Sequence, residues 1–182
     1  LYVMMYEPHP PYNGPYNDLY DPLSIPDGEI FLEKPDETCS LFNRARSDYY
    51  LGGSEHDLNT ADDWRSLKAR YYGNVTLLDE GVGKILQGLK DFGFEDDTAV
   101  VFTSDHGDSL GDRGMLNKRS FYEEVSRVPM LIKVPWINRN QVNVGGNFGH
   151  VDIVPTILDI LGIEIPDHLE GNSVLQDITT GS

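Results

Sequence analysis

A long amphipathic segment between two apolar runs most constrains how this chain of 182 residues can fold. Thr60 and the acidic residues after it are typical of a helix start, and apolar residues then recur every three or four positions until Gly93. These apolar residues are Trp64, Leu67, Tyr71, Val75, Leu78, Val82, Ile85, Leu86 and Leu89. The pattern predicts one long helix with a single apolar face.

The apolar runs on either side of this helix predict strands. Residues 1–6 and 98–104 are mostly apolar and lack polar alternation, which is typical of parallel strands covered on both faces. Three prolines in residues 7–12 end the first run, because proline cannot donate to a strand ladder. A strand, a helical crossover and a second strand together predict a parallel sheet.

The remaining segments complete a single α/β domain. Residues 13–59 show no sustained period and predict a long, mostly irregular segment with a short helix. Residues 120–126 predict a short helix, and 128–134 a third strand. Residues 151–161 predict a helix with a proline in its first turn, ended by Gly162.

Composition excludes several partners. Thirty acidic residues against fourteen Lys and Arg give a net charge of −16, which would repel nucleic acid and anionic membrane surfaces. The single cysteine, Cys39, excludes an internal disulfide framework, and no stretch approaches a transmembrane length. Any anion that the chain binds must therefore be held by a metal or by well-placed cations.

Residues with the required chemistry follow the predicted strands. Asp105 and His106 come directly after the strand at 98–104, and open α/β sheets bind ligands at the carboxyl ends of strands. A carboxylate beside an imidazole can bind a divalent metal, and Lys118 is a cation that can hold an anionic group. His9 lies just beyond the end of the first apolar run. We expect these four side chains to converge on one cleft at the edge of the sheet.

These residues, with several longer motifs, resemble the sulfatase branch of the alkaline-phosphatase superfamily. The matching segments, in order, are residues 7–12, 71–79, 103–107 followed by Lys118, 122–129 and 151–159. The resemblance covers nearly the whole chain and is weakest over residues 13–59. It implies an alkaline-phosphatase-like α/β fold with a mostly parallel sheet flanked by helices, present as a fragment, with residues 1–182 forming part of the catalytic domain.

The resemblance also implies roles for the four residues. The family's site holds one divalent cation, usually calcium, and Asp105 and His106 match two of its ligands. Lys118 matches a lysine that contacts the sulfate, and His9 matches a histidine near the sulfate and the leaving-group oxygen. Because hard cations prefer oxygen, the imidazole of His106 leaves manganese or zinc open as alternatives. The implied reaction is hydrolysis of a small-molecule or carbohydrate sulfate ester.

The chain departs from the family pattern at the nucleophile. In the family, a cysteine or serine followed two residues later by proline is converted to formylglycine, but Cys39 lacks that proline. The family's paired aspartates, which complete the metal site, are also absent from residues 1–182, and Arg113 stands where many relatives carry histidine. We therefore expect an N-terminal part with the nucleophile to be missing here, and this chain alone to have no turnover. A periplasmic or secreted location is open.

Two alternative functions are open for this chain. Relatives with the Asp–His pairing hydrolyse phosphonate monoesters or phosphodiesters on a nearly identical scaffold, so this chain could belong to such an enzyme. The domain could also keep the fold without catalysis. Activity ratios on aryl sulfates and phosphonates distinguish the first alternative, and the sequence upstream of Leu1 distinguishes the second.

Overall fold

The chain divides into two compact units. A computed structural model describes residues 1–52, 57–137 and 141–181. The first unit comprises Leu1–Gln87 with Thr103–Pro129, and the second comprises Gly88–Phe102 with Met130–Ser182. The helices are α1 (Leu41–Leu51), α2 (Ala61–Asp91), α3 (Glu123–Ser126), α4 (Ile153–Ile160) and α5 (Leu175–Thr180), and the strands are β1 (Val100–Thr103) and β2 (Met130–Lys133).

Helix α2 is the longest element and confirms the predicted helix. Its start is capped reciprocally: Thr60 N donates to Asp63 Oδ2 over 2.7 Å, and Asp63 N donates to Thr60 Oγ1 over 3.3 Å. The Thr60 hydroxyl also donates to Asp63 Oδ2 at 2.8 Å, and the bonds from this hydroxyl and from Thr60 N lower the pKa of Asp63, because they favour its ionised form. None of the described helices combines the length and apolar character that a membrane crossing would require.

The core of the first unit is built on the apolar face of α2. Trp64 is 2% exposed and contributes to one cluster of buried side chains, which are Tyr12, Tyr50, Leu58, Trp64, Leu67 and Leu116. Burying a large apolar side chain stabilises a fold by about 2–3 kcal/mol. The cluster therefore fixes α2 against the segment after Thr103, which carries Asp105, His106 and Lys118.

The second unit contains β2, all of β1 except Thr103, and helices α4 and α5. Asp152 precedes α4, and its carboxylate accepts hydrogen bonds from Gly149 N at 2.9 Å and Asn172 N at 2.8 Å. Gly162 adopts a φ of +66° and follows the helix, as expected of a terminating glycine. The predicted third strand and the predicted helix over 151–161 are both confirmed, with narrower bounds.

One expectation needs correction. Residues 1–6 are not a strand, and Leu1, Tyr2 and Met4 are strongly exposed. An extended apolar run becomes a strand only when a neighbour takes its hydrogen bonds, and no described strand pairs with this one. Helix α1 is the short helix expected within 13–59, whereas α5 was not predicted. A larger, mostly parallel sheet stays a prediction.

Candidate functional site

His9 and Lys118 meet, although they are 109 positions apart in sequence. Lys118 Nζ lies 3.2 Å from His9 Nε2. His9 occupies a turn in which its backbone N donates to Tyr6 O at 3.1 Å, and the Glu7–Pro8 and Pro10–Pro11 peptide bonds that flank the turn are cis. The Tyr6 hydroxyl donates to Pro10 O at 2.9 Å, which fixes the other side of the turn.

The contacts of His9 define which ring nitrogen carries hydrogen in the neutral form. Its Nδ1 lies 2.8 Å from Pro10 O, and a carbonyl oxygen can only accept a hydrogen bond. Nδ1 therefore carries the hydrogen, and Nε2 accepts from the ammonium group of Lys118. The pair presents a cation and an imidazole nitrogen side by side.

Asp105 and His106 form the second pair. Asp105 Oδ2 lies 3.4 Å from His106 Nε2, and Asp105 Oδ1 accepts from His106 N at 3.0 Å. His106 Nδ1 lies 2.8 Å from Gly107 O, so this nitrogen also carries the hydrogen and Nε2 keeps its lone pair. The Asp105 side chain is 83% exposed, which leaves its carboxylate accessible to a cation.

These two side chains fit a divalent metal in donor chemistry, because one offers carboxylate oxygen and the other an imidazole nitrogen with its second nitrogen already oriented. Within the described residues, no group of three or more His, Cys, Asp or Glu side chains is arranged to hold a metal ion. The structure therefore supplies two candidate ligands.

A compact loop carries Lys118. Asp108 organises it: its Oδ1 accepts from Leu110 N at 3.1 Å and from Asn117 N at 2.9 Å. Lys118 follows Asn117 and precedes Arg119, and both neighbours adopt the left-handed region, with φ of 63° and 83°. Left-handed backbone is costly for a side chain such as that of Arg119, and residues of this kind cluster at functional sites where the surroundings hold them.

Tyr12 connects this loop with the turn that carries His9. Its hydroxyl donates to Asp108 Oδ2 at 2.7 Å and lies 3.2 Å from Asn117 Oδ1. Tyr12 is only 5% exposed. Burial raises the pKa of Tyr12, and the nearby carboxylate of Asp108 raises it further, so the phenol stays protonated and acts as a donor.

Cys39 and Arg113 both contact Tyr122. The Tyr122 hydroxyl donates to Cys39 Sγ at 3.2 Å, and the Arg113 guanidinium carbon lies 4.2 Å from the centre of the Tyr122 ring. The hydrogen bond to Cys39 is the main reason that the pKa of Tyr122 is raised. Cys39 therefore accepts a hydrogen bond from Tyr122, and Arg113 stacks on the ring of the same residue.

The structure thus brings together His9 with Lys118, and Asp105 with His106, within the first unit. That the two pairs share one cleft stays a prediction. The residues that sequence reasoning missed are Tyr12, Asp108 and Asn117, because a contact across 96 positions has no signature in spacing. The available signal was the loop chemistry of Asp108 and Asn117, since Asp and Asn commonly accept backbone hydrogen bonds in turns and tolerate left-handed backbone.

Comparison with known proteins assigns the chain to a family. The Sulfatase family model matches residues 1–163. The chain is 33% identical over 193 residues to a multifunctional alkaline phosphatase superfamily protein, PehA, of Trinickia caryophylli, covering 100% of this chain and 37% of that protein. It is 33% identical over 182 residues to an arylsulfatase of Clostridium perfringens, covering 96% of this chain and 36% of the relative.

Among solved structures, the phosphonate monoester hydrolase SpPMH of Silicibacter pomeroyi superimposes with a TM-score of 0.80 at 32% identity. That match covers 96% of this chain and 36% of the hydrolase. The chain therefore belongs to the sulfatase family of the alkaline-phosphatase superfamily, as the resemblance predicted. It spans little more than a third of the length of these relatives.

Proposed function

We propose that the complete protein hydrolyses sulfate monoesters, and that residues 1–182 supply part of its active site, as one partial sulfatase-type catalytic domain. The observation that carries the proposal is the 3.2 Å contact between Lys118 Nζ and His9 Nε2, within a chain of the sulfatase family. The substrate class is a small-molecule or carbohydrate sulfate ester.

Lys118 and His9 have complementary roles in this reaction. A sulfate monoester presents negative oxygens, which the ammonium group of Lys118 binds, and its alkoxide leaves poorly unless it receives a proton. In the protonated form of His9, Nε2 carries a hydrogen and no longer accepts from Lys118, so it can give that proton to the departing oxygen while Lys118 binds the sulfuryl oxygens. The hydrogen bond from Nδ1 to Pro10 O holds the ring in place for this transfer.

Asp105 and His106 are the proposed metal ligands, through Oδ2 and Nε2 respectively. A bound divalent cation would polarise the sulfuryl oxygens and offset the charge of the bound ester. We propose calcium from family membership, with manganese or zinc as alternatives because His106 provides nitrogen. The exposed carboxylate of Asp105 and the oriented ring of His106 support this assignment.

The nucleophile in this proposal is the formylglycine of the family. The motif that generates it has no match within residues 1–182, so the proposal requires the nucleophile from another segment of the complete protein. Sulfuryl transfer to that group releases the alcohol, with His9 protonating the leaving oxygen.

A second candidate is hydrolysis of phosphonate monoesters or phosphodiesters. The observation that favours it is the similarity to SpPMH, with a TM-score of 0.80, together with the imidazole of His106 beside Asp105. Lys118 and His9 would serve a phosphonate in the same way, since both substrates carry negative oxygens and an alkoxide leaving group.

The two candidates are distinguished by a ratio of rates. The full-length gene product is assayed with an aryl sulfate, an aryl phosphonate monoester and an aryl phosphodiester that share one leaving group. A kcat/KM highest for the sulfate supports the sulfatase proposal, and one highest for the phosphorus esters selects the second candidate. Absence of turnover on all three, with metal supplied, would overturn both in favour of an inactive domain.

A further inference from the structure

We infer that the hydroxyl group of Tyr12 positions the His9–Lys118 pair, acting through the carboxylate of Asp108. This inference deepens the proposed function and rests on it for its kinetic consequences. Tyr12 is a positioning residue, because its hydroxyl donates to Asp108 and lies beside Asn117, the residue before Lys118.

The two members of the pair lie on separate segments that must be held in register. Apart from the contact with Lys118, the hydrogen bonds of His9 are local, from its backbone N to Tyr6 O and from its ring to Pro10 O. Tyr12 lies three residues beyond His9 and is 5% exposed, so its ring anchors this segment in the core of the first unit. The hydroxyl at the end of that ring hydrogen-bonds to the loop carrying Lys118.

The Asp108 carboxylate joins the two segments. Its Oδ2 accepts from the Tyr12 hydroxyl at 2.7 Å, while its Oδ1 accepts from Asn117 N at 2.9 Å, directly before Lys118. One carboxylate therefore bonds both to the segment that carries His9 and to the backbone beside Lys118. A hydrogen bond to an ionised acceptor is shorter and stronger than a neutral one, and the burial of Tyr12 limits competition from water.

The alternative is that the hydroxyl only stabilises the fold. A purely stabilising group would change the amount of active protein and leave the properties of the active fraction unchanged. A positioning group changes the chemistry of the pair, because a small displacement of Lys118 from His9 alters where the leaving-group proton lies. The leaving-group dependence of the rate therefore separates the two roles.

The test compares Tyr12→Phe with Tyr16→Phe in the full-length protein. Both variants delete a tyrosine hydroxyl that donates to a carboxylate at 2.7 Å, Asp108 for Tyr12 and Glu80 for Tyr16. We expect Tyr12→Phe to lower kcat about tenfold to a hundredfold with little change in KM. The loss should be about tenfold larger for the ester of a weakly acidic phenol than for that of a strongly acidic one. Tyr16→Phe should match the unmodified protein on both esters.

A second measurement does not depend on turnover. The ring ¹⁵N signals of His9, assigned through His9→Gln, should shift at Nε2 in Tyr12→Phe and stay unchanged in Tyr16→Phe. If the unmodified protein hydrolyses none of the esters, the proposed function fails, and this signal alone decides the inference. Should Tyr12→Phe not fold, Asp108→Asn weakens the same junction and is expected to give the same shift. An unshifted Nε2 signal in the folded variant, or equal losses on both esters, would overturn the inference.

Discussion

Among individual residues, the two candidate-site histidines share one arrangement with different partners. In each, Nδ1 lies 2.8 Å from the carbonyl oxygen of the next residue, Pro10 for His9 and Gly107 for His106. Nε2 then faces a cation in the first case, Lys118, and a carboxylate in the second, Asp105. In the proposed function, the same residue type therefore transfers a proton at one position and binds metal at the other.

The metal assignment predicts a specific effect of Asp105→Asn in the full-length protein. Replacing the carboxylate by an amide removes the charged ligand oxygen, so we expect metal content to fall sharply and turnover to fall with it. Metal analysis of the purified protein and an ester assay measure the two effects. Asp62→Asn is the matched control, since Asp62 is similarly exposed at 75% but is paired with Arg65. Normal metal content in Asp105→Asn would remove Asp105 from the site.

At the level of elements, close packing fixes the turn that carries Asp105 and His106. Gly107 N donates to Val125 O in α3 at 2.8 Å, and a Cβ at position 107 would collide with the carbonyl oxygen of Glu124. We expect Gly107→Ala to destabilise the protein by about 1–3 kcal/mol, because backbone must move to admit the methyl group. Thermal and denaturant unfolding measure the change.

Gly83→Ala is the control for that substitution. Gly83 lies within α2, and a methyl group there would meet none of the described atoms within 4 Å. Alanine is favoured over glycine in a helix interior by about 1 kcal/mol, so this variant should be slightly more stable. Equal changes in the free energy of unfolding of the two alanine variants would contradict the close approach of Glu124 O to Gly107.

The start of α4 predicts a pH dependence of stability. Hydrogen bonds from Asn172 N and Gly149 N hold the pKa of Asp152 below its ordinary value of 3.8. A carboxyl with a lowered pKa stabilises the fold above its unfolded-state pKa, and this contribution is lost as pH falls through the folded-state pKa. Lowering the pH from 5 to about 3 or below should therefore reduce the melting temperature of the unmodified protein more than that of Asp152→Asn. Asp167→Asn, in the exposed loop after α4, is the control and should lose as much melting temperature as the unmodified protein. The same loss in Asp152→Asn would contradict the stabilising role of the Asp152 carboxylate.

The elements differ in how far the sequence predicts them. Helix α2 and helix α4 have sustained apolar periodicity and end signals, and both form close to the expected bounds. Residues 1–6 show that an apolar run alone is insufficient, since strand formation depends on a hydrogen-bonding neighbour that local sequence does not specify. Helix α1 lies in a segment rich in glycine, proline and aspartate, where its cap at Ser40, which accepts from Asn43 N at 3.2 Å, was the remaining local signal.

At the scale of the whole molecule, the buried core of the first unit supports the segments that carry the candidate site. The chain has two tryptophans, Trp64 at 2% exposure and Trp136 at 47%. We expect Trp64→Ala to lower the free energy of unfolding by about 3–5 kcal/mol, because it leaves a cavity in that core. Trp136→Ala should cost much less, and denaturant titration of both variants measures the difference. Similar costs would contradict the assignment of Trp64 to the core.

The candidate site was predictable at the level of residue types and not of distances. Asp105 and His106 follow a predicted strand and Lys118 was identified from motif order, whereas His9 was expected at the end of a strand over residues 1–6 that does not form. The contact of His9 with Lys118 and the bridge from Tyr12 through Asp108 depend on the packing of segments about one hundred positions apart, which no local pattern encodes.

The most direct test of the proposed function is the kcat/KM of the full-length protein on an aryl sulfate after Lys118→Ala. Lys118 is the cation proposed to bind the sulfuryl oxygens, so its loss should lower kcat/KM by about 10²–10³-fold. Lys34→Ala is the matched control, because Lys34 pairs with Asp48 at 2.6 Å on the exposed surface of the same unit. We expect a large loss of kcat/KM in Lys118→Ala alone, and equal kcat/KM in the two variants would contradict the proposed role of Lys118.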